Sequence, residues 1–191
     1  MDGALLADGR LYQILQHCDD DLAAEQRAGG CLMCGGPLHA ARYPRKPRGS
    51  VGRLPPEYDW RQSFCCARRD CRKRVTPPSL RFLGRKVYLG AVVVLIAARR
   101  CGPTPARLRT LEDLVGVSRR TVLRWRRWWC EELVDTPFWR AASGTVMPPV
   151  PHATLPAALL ERFAGSARER LLGLLRFIAP ITTETATVRG T

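Results

Sequence analysis

The chain has 191 residues, a formal net charge of +14 and 46% apolar residues. That length supports one compact domain or two small ones, and it excludes a large catalytic domain with accessories. The basic balance points to a polyanion as the natural partner.

Residues 1–30 carry two arginines against six acids and read as a helix around RLYQILQHC followed by the acidic DDDLAAE. They show no chemistry of their own. Residues 31–86 reverse the sign, with fourteen Lys and Arg against three acids, so the charge is concentrated where the cysteines cluster. Arginine outnumbers lysine 28 to 3. A guanidinium is a fixed fork of donors that suits phosphate and guanine, but a GC-rich genome favours Arg codons independently, so the excess is not counted twice.

Residues 31–84 read as a zinc ribbon with a basic insert. CLMCGG supplies Cys31 and Cys34, and the glycines that follow allow the tight turn in which backbone N–H groups point at sulfur. The second half, FCCARRDCRKR, offers Cys65, Cys66 and Cys71. Neighbours on a strand point to opposite faces, so Phe64 and Cys66 share one side; with that side inward, Cys66 and Cys71 complete the ligand set and Cys65 is a bystander. A kink at the metal would exchange Cys65 for Cys66. His39, with four residues between it and Cys34, is a rival donor to a set that four thiols already fill. The 31 residues between Cys34 and Cys66 exceed a compact ribbon's spacing, yet doubling a loop costs only about 0.6 kcal/mol, against roughly 10–16 kcal/mol of apparent binding energy for structural zinc. Four thiolates leave no open coordination position, so the expected Zn2+ is structural. Cys18, Cys101 and Cys130 fit no ligand spacing and read as small apolar residues.

Within that module the insert YPRKPRG, with Arg45, Lys46 and Arg48, has the proline-stiffened, basic character of an arm that lies in a minor groove, or of a solvated basic loop. Arg72, Lys73 and Arg74 follow the last thiol, and both groups are candidates for phosphate contact. The apolar run of twelve residues from Val87 to Ala98 is too short to span a bilayer, which needs roughly 20, and reads as a buried helix near 85–100. No membrane association is expected. The cysteine spacing and the lack of a signal-like opening predict a reducing cytoplasm, on the nucleoid.

Residues 85–135 read as a helix-turn-helix domain. In TLEDLVGVSRRTVLRWRRWW, Thr110 and Asp113 suggest a capping box, Gly116 a left-handed turn and Ser118 the cap of a second helix. Leu111, Val115, Val117, Val122, Trp125 and Trp129 are the expected buried positions. Ser118, Arg119, Arg120, Thr121, Arg124 and Arg127 are the expected DNA-facing ones.

Residues 136–154 read as a linker. A helix pair over 155–179 follows, with Pro156 in a first turn and Ser166 with Glu169 as a capping box. Leu171, Leu174, Leu175 and Ile178 form an apolar seam that either packs on the trihelical core or makes a homodimer. Residues 180–191 read as a loose tail.

The expected fold is therefore mainly α with a small β zinc ribbon: the ribbon N-terminal, then a trihelical helix-turn-helix unit and a C-terminal helix pair. CLMCGG, the later CC…C with RKR, TPPS and GVSRRTVLRW together resemble the N-terminal part of bacterial insertion-sequence transposases and their small accessory proteins. The resemblance covers residues 31 to about 135. It implies recognition of element-end double-stranded DNA, with a transposase or recombinase as a further partner. Such transposases continue into an RNase H-like domain with three separated acids. Here only Glu161, Glu169 and Glu184 follow Asp135, so transposition chemistry is not carried over and no enzyme is expected. The competing expectations are an RNA-binding ribbon protein and a protein-interaction adaptor.

Overall fold

The computed structural model describes residues 2–83, 88–98 and 104–184. The protein is mainly α-helical with one small three-stranded antiparallel sheet. The tail from residue 185 onward and both flanks of the first apolar helix, with Cys101 among them, lie outside the described residues, as does the side chain of Leu111.

A short helix α1 (Asp2–Leu6) leads into α2 (Gly9–Gly29), which Asp8 caps by accepting from Arg10 N. The acidic run expected to follow a helix lies inside α2. Leu11, Leu15, Asp19 and Ala23 recur every four residues and are all buried, so one acid sits on the apolar stripe. The sheet is β1 (Leu38–Pro44), β2 (Trp60–Cys66) and β3 (Arg74–Val75), in that order, with Leu38 opposite Cys66 and Phe64 opposite Val75.

At the centre lies α3 (Gly90–Ala97), all eight of whose residues are buried. A helix apolar on every side needs neighbours on every side, and α1, α5 (Arg119–Arg127) and α8 (Ala167–Ile178) supply them. Gly90 permits a close backbone approach: a Cβ there would meet the Leu80 carbonyl at 2.8 Å, while Gly90 N donates to Arg81 O at 2.8 Å.

The helix α4 (Pro105–Val115) begins at its proline, five residues before the expected capping box. Proline is pre-set for a first turn, and Thr110 inside the helix donates instead to Ala106 O at 3.2 Å. After α5 the chain passes through a π-helical turn, Trp128–Glu132. Residues 136–154 are not an open linker. They hold α6 (Pro137–Ala142), capped by Thr136, with Trp139 4% exposed in the main core. The last elements are α7 (Ala157–Leu160), α8 and α9 (Ile181–Glu184). Ser166 and Glu169 form the full capping box on α8.

The seam of α8 settles one alternative. Leu171, Leu174, Leu175 and Ile178 are buried within the chain's own core, so this seam is not the face of a homodimer. One apolar cluster runs from Leu6 to Ile181, and a second, small one surrounds the thiols: Ala23, Cys31, Leu38, Phe64, Cys66 and Val75.

Candidate metal centre

Strand parity decides which thiols meet. Phe64 and Cys66 lie on the face of β2 that enters the small cluster, whereas Cys65 lies on the other and its thiol points at the Arg72 carbonyl, 3.6 Å away. His39 is paired with Cys65 in the ladder and is exposed, so it is not a fourth donor.

The sulfurs of Cys31, Cys34, Cys66 and Cys71 all lie within 4.8 Å of one another. Cys31 and Cys71 are 3.7 Å apart, and Cys34 and Cys66 are 3.5 Å apart. A tetrahedron with metal–sulfur bonds of about 2.3 Å has edges of about 3.8 Å, so the donors fit a four-sulfur metal site.

Backbone bonds shape the two turns. Cys31 N donates to Gly36 O at 2.9 Å and Gly35 N to Cys31 O at 2.7 Å. In the second turn Cys71 N and Arg72 N both donate to Arg68 O, and Arg72 takes a left-handed φ of 47°. Ala67 N reaches across to Pro37 O at 2.9 Å, joining the two halves. The Met33 N–H holds the Cys31 thiol down to about 7, whereas burial pushes Cys66 up to about 12.

A residue that sequence reasoning passed over fixes this module to the helices. Asp19 of α2 accepts from Ser79 Oγ (2.5 Å), Leu80 N (2.6 Å) and Arg81 Nε (2.8 Å). Arg81 also donates to the Glu57 carbonyl at 3.0 Å and stacks on Tyr58 and Phe82. Both charges are almost fully buried, at 5% and 2% side-chain exposure, so each depends on these partners in place of water. An acid in step with Leu11 and Leu15 was the signal available in the sequence.

The basic insert is not a free arm. Leu89 N donates to Arg48 O at 3.1 Å, Arg45 N donates to Asp59 O and the Arg45 guanidinium stands 5.2 Å over Phe82. Lys46 and Arg48 keep exposed side chains, as do Arg72, Lys73 and Arg74.

Ser118 caps α5, accepting from Thr121 N at 3.4 Å. The turn before it has Gly116 at φ 63°, and Tyr88 Oη donates to the Gly116 carbonyl at 3.1 Å. Val122, Trp125 and Trp129 are buried as the pattern predicts, and so are Val115 and Val117. Arg119, Arg120 and Arg124 are exposed, and Thr121 is half-buried. Arg127 is engaged, its Nε 2.9 Å from Glu131. Leu123, 44% exposed, shares the outer stripe with Arg120, Arg124 and Arg127.

Among the described residues no helix is long and apolar enough to cross a membrane. The chain matches no known family model, no curated protein and no solved structure.

Proposed function

We propose that the protein is a zinc-stabilised, sequence-specific DNA-binding protein of mobile-element or transcription-regulatory type. In this reading residues 31–84 are a zinc ribbon, and α4, the Gly116 turn and α5 are a helix-turn-helix whose second helix enters the major groove. The observation that carries it is the two-sidedness of α5. Its apolar face is anchored by Val122 and Trp125 with Trp129 beyond, while Arg120, Leu123 and Arg124 recur at i, i+3 and i+4 on the face left to solvent, with Arg127 one turn on and paired with Glu131. A cation stripe on a rigidly capped, short helix is the arrangement that presents guanidinium forks to base edges.

Zinc fits the donor set, since soft thiolates in tetrahedral array select it. Bound there, it would contribute folding energy and no reaction chemistry. A ZnS4 centre is formally −2, which partly compensates the cations of the second turn and lets them be held outward toward phosphate. Arg72, Lys73 and Arg74, with Lys46 and Arg48, then supply sequence-independent affinity, while residues 119–124 read bases. A transposase or recombinase is the protein partner this role would have, and the nucleoid its place.

The test is selection of bound sequences from a random duplex pool, with zinc content measured on the same sample. A recovered consensus and one zinc per chain are expected. Binding that shows no sequence enrichment, or structured RNA winning in direct competition, would overturn the reading.

A further inference from the structure

The first metal turn carries two large apolar side chains into solvent. Leu32 is 77% exposed and Met33 is 72% exposed, adjacent to each other between two ligand thiols. The turn beneath them is braced on both sides, by the Cys31 N to Gly36 O bond and by the thiols themselves. A rigid backbone that holds apolar groups away from the core retains them for something outside the chain.

The rim says what that is. The Arg68 side chain lies across the same turn: a Cβ added to Gly36 would meet its Cγ, Cδ and Nε, each at 3.0 Å. Arg69 and Arg72 are exposed on the companion turn, where Asp70 is the single acid. Two adjacent side chains are too small a core for a stable protein interface, which buries roughly 800 Å² on each partner, and the arginines of the two turns suit phosphate. Two side chains are also too small an anchor for a membrane, where stable attachment takes far more buried hydrocarbon. They are the right size for one base step, which minor-groove proteins prise open with Leu or Met while basic residues hold the flanking phosphates.

The geometry points to Leu32 and Met33 as a wedge that enters a duplex between base pairs and kinks it, with Arg68, Arg69 and Arg72 on the adjacent phosphates. This rests on the DNA-binding reading above and adds deformation of the DNA to it. Specificity would then come partly from how readily a step unstacks, in addition to the bases α5 touches.

The experiment uses the full chain with its zinc and the duplex recovered by selection. End-to-end fluorescence transfer measures bending, and 2-aminopurine placed at successive positions reports unstacking. Wild type should bend the duplex and brighten 2-aminopurine at one step. The Leu32→Ala/Met33→Ala double variant should keep its zinc content, lose both signals and bind about tenfold more weakly, whereas Met33→Leu should retain them. Specific binding by wild type without bend or unstacking overturns the wedge and leaves the DNA-binding reading intact, as does a double variant that bends DNA like wild type. Failure to bind any duplex overturns both. Retention of wild type, but not the double variant, on anionic phosphatidylserine vesicles without duplex unstacking overturns the wedge as well.

Discussion

The phenol of Tyr88 donates to the carbonyl of Gly116 at 3.1 Å, and its ring meets Trp125 edge-on at 5.0 Å. One residue thus touches both the turn and the second helix of the α4–α5 pair. Its own backbone pairs with Arg48 of the basic insert, so insert and turn are separated by a single side chain.

Tyr88→Phe removes the hydrogen bond and keeps the ring. Gly116 is exposed and its carbonyl can turn to water, so the destabilisation should be modest, about 0.5–1 kcal/mol. A urea midpoint lowered without change in slope is the expected reading; an unchanged midpoint would mean the bond adds nothing.

Asp19→Asn should be far more damaging, because it leaves Arg81 charged and buried. Removing one member of such a pair costs about 3–5 kcal/mol. Replacing both, as Asp19→Leu with Arg81→Met, should recover part of that stability in the same thermal melts. A single variant as stable as wild type would refute the assignment of Asp19 as the joint.

Cys66→Ser should abolish stoichiometric metal, while Cys65→Ser should leave it at one per chain by elemental analysis. Because the thiols sit in their own small apolar cluster, chelation should loosen the sheet and leave the helical circular dichroism largely intact. Equal metal content in both variants would contradict the ligand set.

Two sets of basic residues should fail differently. Arg120→Ala should relax preference at one position of the selected site by about 1–3 kcal/mol. Neutralising Arg72, Lys73 and Arg74 should weaken all duplexes alike and flatten the salt dependence by about 0.9 for each phosphate no longer neutralised. Binding titrations at several salt concentrations separate the two, and identical behaviour would defeat the division of labour.

Lys46 and Arg48 belong with the second set. The Arg48 backbone is pinned by Leu89 and its side chain is exposed, so Arg48→Ala should reduce nonspecific affinity without changing stability by more than about 0.5 kcal/mol. A large fall in the melting midpoint would show that the Arg48 side chain supports the fold.

The parts legible in the sequence were those governed by local periodicity. The two-residue period of β2 favoured Cys66 over Cys65 and left a kink as the open alternative, which the thiol cluster removes, and the stripe Val122, Trp125, Trp129 identified the buried face of α5 and the turn that follows it. Ser118 and the Ser166–Glu169 box were readable because a cap needs only its own helix. The start of α4 was not, since Thr110-x-x-Asp113 satisfies the capping pattern while Pro105 begins the helix earlier. Asp19 escaped because its partners, Ser79 to Arg81, are about sixty residues away in sequence. The segment around Trp139 escaped because prolines on both sides mask a helix of only six residues.

The full burial of α3 means that the chain cannot be treated as beads on a string. A fragment confined to residues 85–135 would lack the partners that α1 and α8 place against α3 and would leave part of that wholly apolar helix open to water. Such a piece would be expected to clump, whatever its helices can bind. The apolar octet in the middle thus makes the halves obligate neighbours, and any shortened version that stays in solution must keep material from both ends.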